Sequence, residues 1–125
     1  MSTLIHLENI QHTLNSINGK WRIPLLTVLF QQDRARYSTL QQQLPKIGSK
    51  MLTSELKALE QLHLIERIIT ETPVLIEYKL SEKGRSLLPV LEALAQWGER
   101  ERPRKAAKLT QQNKHEINHF LTISI

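Results

Sequence analysis

The stretch from Lys46 to Leu80 constrains this chain most, because it reads helix, strand, tight turn, strand without interruption. Within LPKIGSKMLTSELKALEQLHLIER, Leu52, Leu56, Leu59 and His63 fall on one helical face. Lys50, Thr53, Ser54, Lys57 and Gln61 fall on the opposite one. An apolar back anchors such a helix to its domain. A Lys/Ser/Thr front suits plain solvent, and it equally suits a DNA major groove, where hydroxyls and ammoniums meet base edges and phosphates. Taken alone, the helix does not separate these two readings.

Composition narrows them. A chain of 125 residues with 40% hydrophobic content makes one small domain with a modest core, which dimerisation would help. The absence of cysteine excludes disulfides, thiol redox sensing, Cys-ligated zinc and a Cys nucleophile. No run reaches the length of a membrane span and no signal pattern opens the chain, so a cytoplasmic protein is expected. The net charge of +5 points weakly to polyanionic partners. Up to Gly98 there are 11 basic and 9 acidic residues. From Glu99 to Lys108 there are 5 basic and 2 acidic ones, so most of the excess sits after the Lys/Ser/Thr helix.

The periodicity predicts a first helix with a 3-4-3 seam of Leu7, Ile10, Leu14 and Ile17, stopped by Asn18-Gly19. That seam serves either the core or a dimer. A second helix over Lys20–Phe30 turns Trp21, Leu25, Val28 and Leu29 inward, with Trp21 read as core. Ala35–Tyr37 is a short strand. Ser38 is placed to cap a brief third helix ending before Pro45, and Ser49 to cap the fourth. Strands follow over Leu64–Thr70 and Val74–Leu80, with Glu71, Thr72 and Pro73 at the tip between them. Ser81 caps a fifth helix that Pro89 kinks and Pro103 ends, with an apolar band of Leu87, Leu88, Leu91, Leu94, Ala95 and Trp97. The division expected is a domain over 1–102 and a basic, then apolar tail over 103–125, whose Ile117, Phe120 and Leu121 suit a docked helix.

Three segments carry a family resemblance: INGKW at Ile17–Trp21, RYSTLQQQLPKIGSKMLTSELKALEQLHLIER at Arg36–Arg67, and TPVLIEYKLSEKGRSLLPVLEALAQWG at Thr72–Gly98. Together they resemble the HxlR-type winged helix-turn-helix regulators, relatives of the MarR group. The resemblance implies an α+β winged helix with added N- and C-terminal dimerisation helices. It implies a bacterial transcriptional regulator, a repressor more than an activator, that binds double-stranded DNA as a homodimer. By position it places helix 4 in the major groove, the hairpin as the wing, and Arg36 near phosphate. Lys46, Lys50 and Lys57 are then the candidates for phosphate or guanine, and Ser49, Thr53 and Ser54 for short-range contacts. Leu7, Ile10, Leu14, Leu91, Leu94 and Trp97 are the candidates for the dimer interface.

Three departures stand out. Many members of that family carry a cysteine near the start of the domain, where this chain reads ENIQHTL. The wing usually bears an Arg near its Pro, and here Glu66–Glu77 holds one Arg against three Glu. The tail is long and apolar. A small-molecule effector, if one exists, has no signature in the sequence, and no cofactor is expected.

His115-Glu116-Ile117-Asn118-His119 is a literal HExxH, the pattern that holds zinc in metalloproteases. Such a site needs a third ligand, and only six residues follow. It also needs a cleft that a winged helix this small does not offer. Two surface histidines are expected there, with no metal site and no catalytic residue. A protein-binding winged helix is the main alternative to a DNA reader, favoured by the acidic wing; a zinc hydrolase is a remote one.

Overall fold

In the computed structural model of the chain, residues 3–103 are described. The elements run α1 (Thr3–Ile17), α2 (Arg22–Gln31), β1 (Ala35–Arg36), α3 (Tyr37–Gln43), α4 (Ser49–Gln61), β2 (Ile65–Glu71), β3 (Val74–Leu80), α5 (Glu82–Arg85) and α6 (Leu88–Glu101). A three-stranded antiparallel sheet has the order β1-β3-β2. This is the winged-helix arrangement: three helices and a hairpin around one core. The expected tail, its apolar residues and the His115–His119 pattern lie outside the described residues.

The core is aliphatic. Leu25, Leu26, Val28 and Leu29 of α2 meet Leu40 of α3, Leu52, Leu56 and Leu59 of α4, and Leu64, Ile65 and Leu80 at the base of the hairpin. Each fully buried leucine contributes about 1.5–3 kcal/mol of burial free energy. Ile17 enters the same core, whereas Leu7, Ile10 and Leu14 are about half exposed. The 3-4-3 seam thus splits, its last residue in the core and the rest on the surface.

Several local expectations need correction. Trp21 packs against the core, as expected, but is only half-buried, its ring under the Lys20 ammonium at 5.2 Å, because it sits before the first turn of α2. Neither Ser38 nor Ser49 is a cap. The N-cap of α3 is Arg36, two residues earlier than expected, and Gly48 is the N-cap of α4, which puts Ser49 in its first turn. His63 is not on the leucine face, since the helix has already ended. It adopts φ 60°, its amide donating to Glu60 O at 2.9 Å while the Leu64 amide donates to Leu59 O at 3.0 Å. That is a Schellman turn with His where glycine is usual. Glu71 is the last residue of β2, paired with Val74, so the tip is Thr72-Pro73 alone and Pro73 precedes the strand. The fifth helix is two helices and not one kinked helix. Pro89 lies in the first turn of α6, where its missing N–H costs nothing, and the break falls before it.

Ser81 does cap α5, as read from the sequence: its hydroxyl accepts from the Gly84 amide at 3.0 Å. The same hydroxyl donates to His63 O at 2.6 Å, the Ser81 amide to Leu64 O at 3.1 Å, and Lys83 Nζ to Leu62 O at 3.0 Å. Three consecutive carbonyls past the end of α4 are thereby tied to the start of α5. Gly84 makes this approach possible, because a Cβ there would overlap the Leu64 carbonyl. Gly84→Ala should therefore destabilise the domain by about 3 kcal/mol, as overpacking against backbone does. Urea unfolding of the variant reads this as a lowered midpoint, and a midpoint equal to wild type would refute the close packing.

Candidate nucleic-acid interface

The fold turns the polar face of α4 outward because Leu52, Leu56 and Leu59 occupy the inward one. Ser49, Lys50, Thr53, Ser54, Lys57 and Gln61 are all exposed, as is Lys46 in the turn before the helix. Arg36 is exposed at the β1–α3 junction, one residue before Tyr37. The structure thus gathers five of the seven sequence-derived candidates on one helix face and puts Lys46 and Arg36 at flanking positions.

Charge pairing distinguishes this face from the wing. Among the described residues, Arg36, Lys46, Lys50 and Lys57 have no carboxylate within ion-pair distance. The hairpin's cations are already engaged: Arg67 with Glu60 at 3.6 Å, and Lys79 with Glu66, its cross-strand neighbour, at 3.9 Å. Arg34 pairs with Glu77 at 3.8 Å. Wing positions Glu71, Thr72 and Pro73 are exposed and offer no cation, and Ile69, Val74 and Ile76 leave an exposed apolar strip on the hairpin. At the hairpin's base the Tyr78 phenol is pushed above its ordinary pKa, first by burial and then by the Glu60 carboxylate, so it stays neutral.

Two residues that the sequence reading passed over hold the front of the helix. Tyr37 Oη donates to Ser49 O at 2.8 Å and lies 3.3 Å from Thr53 Oγ1. Gln41 Nε2 donates to Ser49 Oγ at 3.0 Å. Tyr37 and Gln41 are one turn apart on α3, and that i, i+4 spacing of two polar tips was the available signal. On the flank of α4, Glu55 accepts from Arg22 Nε at 3.1 Å, and Arg22 also donates to Ser16 O at 3.1 Å.

The other expected surface is apolar. Leu7, Ile10 and Leu14 of α1 and Val90, Leu94 and Trp97 of α6 are exposed, Trp97 by 62%. Leu91 differs from its companions: it is half-buried and packs against the core. No helix among the described residues is long and apolar enough to cross a membrane.

Comparison with known proteins gives a consistent result. The sequence model described as HxlR-like helix-turn-helix matches residues 16–106. An uncharacterized HTH-type transcriptional regulator of Methanothermobacter thermautotrophicus (strain Delta H) is 39% identical over 94 residues, 74% of this chain and 71% of that one. The crystal structure of the HTH-type transcriptional regulator YtcD, a protein of Bacillus subtilis (strain 168), matches with a TM-score of 0.70 at 40% identity, covering 76% of this chain and 97% of that one. The reduced form of the B. subtilis transcriptional regulator YodB matches with a TM-score of 0.73 at 28% identity, over 78% of this chain and 96% of that one.

The Arg22–Glu55 pair joins α1, α2 and α4, with both side chains about four-fifths buried. Arg22→Ala would leave a part-buried carboxylate and a backbone carbonyl unsatisfied, which should cost about 1–3 kcal/mol. Chemical denaturation should show the lower midpoint with an unchanged slope. Adding Glu55→Gln to Arg22→Ala should recover part of the loss, and no recovery would mean the charge is not what is missed.

Proposed function

The chain belongs to the HxlR-like helix-turn-helix family of transcriptional regulators, and from that premise we propose that it works as a homodimer on duplex DNA, with α4 of each protomer in a major groove. The observation that carries the reading is the unpaired state of Lys46, Lys50, Lys57 and Arg36 around one exposed helix face, against the paired state of the hairpin cations. A lysine with no internal carboxylate is free to neutralise phosphate. One already paired must first break its pair.

In this reading Lys50 and Lys57, two turns apart, face phosphate or guanine, with Lys46 and Arg36 on backbone phosphates at the edges. Ser49, Thr53 and Ser54 sit close to base edges. The wing, Glu71 to Pro73 at its end, contributes little to phosphate binding because the hairpin's cations Arg67 and Lys79 are already paired with Glu60 and Glu66. The half-exposed residues of α1, with Leu94 and Trp97 of α6, form the two-fold interface, and Leu91 borders it. A dimer then meets two half-sites about one helical turn apart on one face of the duplex. Blocking transcription at such an operator, in the cytoplasm, is the regulatory outcome that fits best. The unit that binds is residues 1–102, and 103–125 is an appended tail.

A second reading has one observation in its favour. The hairpin exposes Ile69, Val74 and Ile76 beside Glu71, a surface suited to a protein partner more than to phosphate. Salt separates the readings, because phosphate binding weakens steeply with ionic strength.

The double change Lys50→Ala, Lys57→Ala should leave the melting temperature unchanged, since neither side chain has a partner to lose. The slope of log affinity against log salt on a bound duplex should become shallower by about two. Unaltered affinity and slope would remove α4 from the interface. For the dimer, Leu14→Glu should bury a charge across the two-fold at a cost of several kcal/mol. Sedimentation at micromolar concentration should find wild-type dimers, and monomers or aggregates of the variant. A wild-type monomer would contradict the proposed assembly.

A further inference from the structure

The hydroxyls on the front of α4 are not equivalent hydrogen-bonding groups, because α3 has already used one side of two of them. Tyr37 Oη lies 2.8 Å from Ser49 O and 3.3 Å from Thr53 Oγ1. A carbonyl can only accept, so the single phenolic proton goes to Ser49 O. The phenolic oxygen then faces Thr53 as an acceptor, and the contact between them is made with the proton of Thr53. At Ser49 the order is reversed. Gln41 Nε2 is a donor only, and at 3.0 Å from Ser49 Oγ it makes that oxygen accept and leaves the serine proton unspent. Ser54, also exposed, makes no hydrogen bond through its side chain and keeps both capacities.

We infer that this wiring gives the two hydroxyls opposite polarity toward DNA, with Thr53 selecting a base that carries an exocyclic amino group and Ser49 seeking an acceptor such as a phosphate oxygen. The inference rests on α4 being the major-groove helix. An unrestrained hydroxyl turns to suit either a donor or an acceptor, and so discriminates poorly. Thr53 with its proton held by Tyr37 offers lone pairs only. In the major groove, adenine N6 and cytosine N4 are donors, while guanine O6 and thymine O4 are acceptors. Each base pair has one of each, on opposite strands. At the position Thr53 faces, the contacted strand therefore carries A or C and excludes G or T. Tyr37 and Gln41 are positioning residues in this account: they touch no base, yet Tyr37 sets what Thr53 can read.

Selection from a duplex library with a randomised central segment, using the full chain and sequencing the bound fraction, tests this. Wild type should show one position per half-site restricted to A or C on the contacted strand, by about fivefold for a single hydrogen bond. Thr53→Val should lose the preference there and nowhere else, and Thr53→Ser should keep it. Tyr37→Phe should relax the same position, because the released threonine proton can then reach a keto oxygen, while Ser54→Ala should leave it intact. If Tyr37→Phe does not fold, the Thr53→Val comparison decides alone. A wild-type preference for G or T at the position that Thr53→Val alters would overturn the inference, as would a Thr53→Val selection identical to wild type. A folded Tyr37→Phe variant with the A-or-C preference intact would also overturn it. Failure of wild type to enrich any sequence would instead refute the DNA reading of α4 itself, and this inference with it.

Discussion

Leu52, Leu56 and Leu59 occupy the one stripe of α4 that can be buried, and all three are at most 2% exposed. With those side chains seated against Leu25, Leu26 and Leu40, the helix cannot rotate about its axis without exposing aliphatic surface at about 25 cal/mol per Å². The rotation fixed by the core is what puts Lys50, Ser54 and Lys57 outward. The exposed face is thus a consequence of packing, and its chemistry was free to be set by what it meets.

Rotation is only one freedom. Tilt and axial position are held at the two ends and on one flank. At the start, Tyr37 and Gln41 of α3 grip Ser49. At the end, Ser81, Lys83 and the Gly84 approach secure the carbonyls of Leu62, His63 and Leu64. Between them Arg22 holds Glu55. A helix that must present several side chains to fixed positions on a duplex needs this kind of support, since tolerances at such contacts are fractions of an ångström. The hairpin, whose Arg67 and Lys79 are already held by Glu60 and Glu66, is built to a different rule.

Elements with strong periodicity were legible from the residues: the leucine stripe of α4, the hairpin from Ile65 to Leu80, and the Ser81 cap. What escaped depends on contacts distant in sequence. Ser49 has the composition of a cap, but it lies inside the first turn with its hydroxyl accepting from Gln41, and Gly48 is the N-cap. His63 sits in a left-handed turn because Leu64 must return to the core, and no local signal separates it from the next residue of a helix. Pro89 was visible, yet whether it kinks a helix or opens one depends on Leu87 and Leu91 packing against the core. The candidate site was half visible: its exposed lysines follow from helical spacing, whereas the engagement of Lys79 by Glu66 follows from the hairpin register and that of Arg67 by Glu60 from the packing of β2 beside α4.

The claim that a leucine-anchored, lysine-bearing helix face meets DNA is tested most directly by lysine footprinting. The full chain, free and bound to a duplex that it retains at low salt, is treated with an amine-acetylating reagent and mapped by mass spectrometry. Lys46, Lys50 and Lys57 should lose reactivity on binding, while Lys79, held by Glu66, and Lys83, held by the Leu62 carbonyl, should react as they do in the free protein. Protection at Lys79 or Lys83, with the α4 lysines as reactive as before, would contradict the account and move the interface to the hairpin side of the molecule.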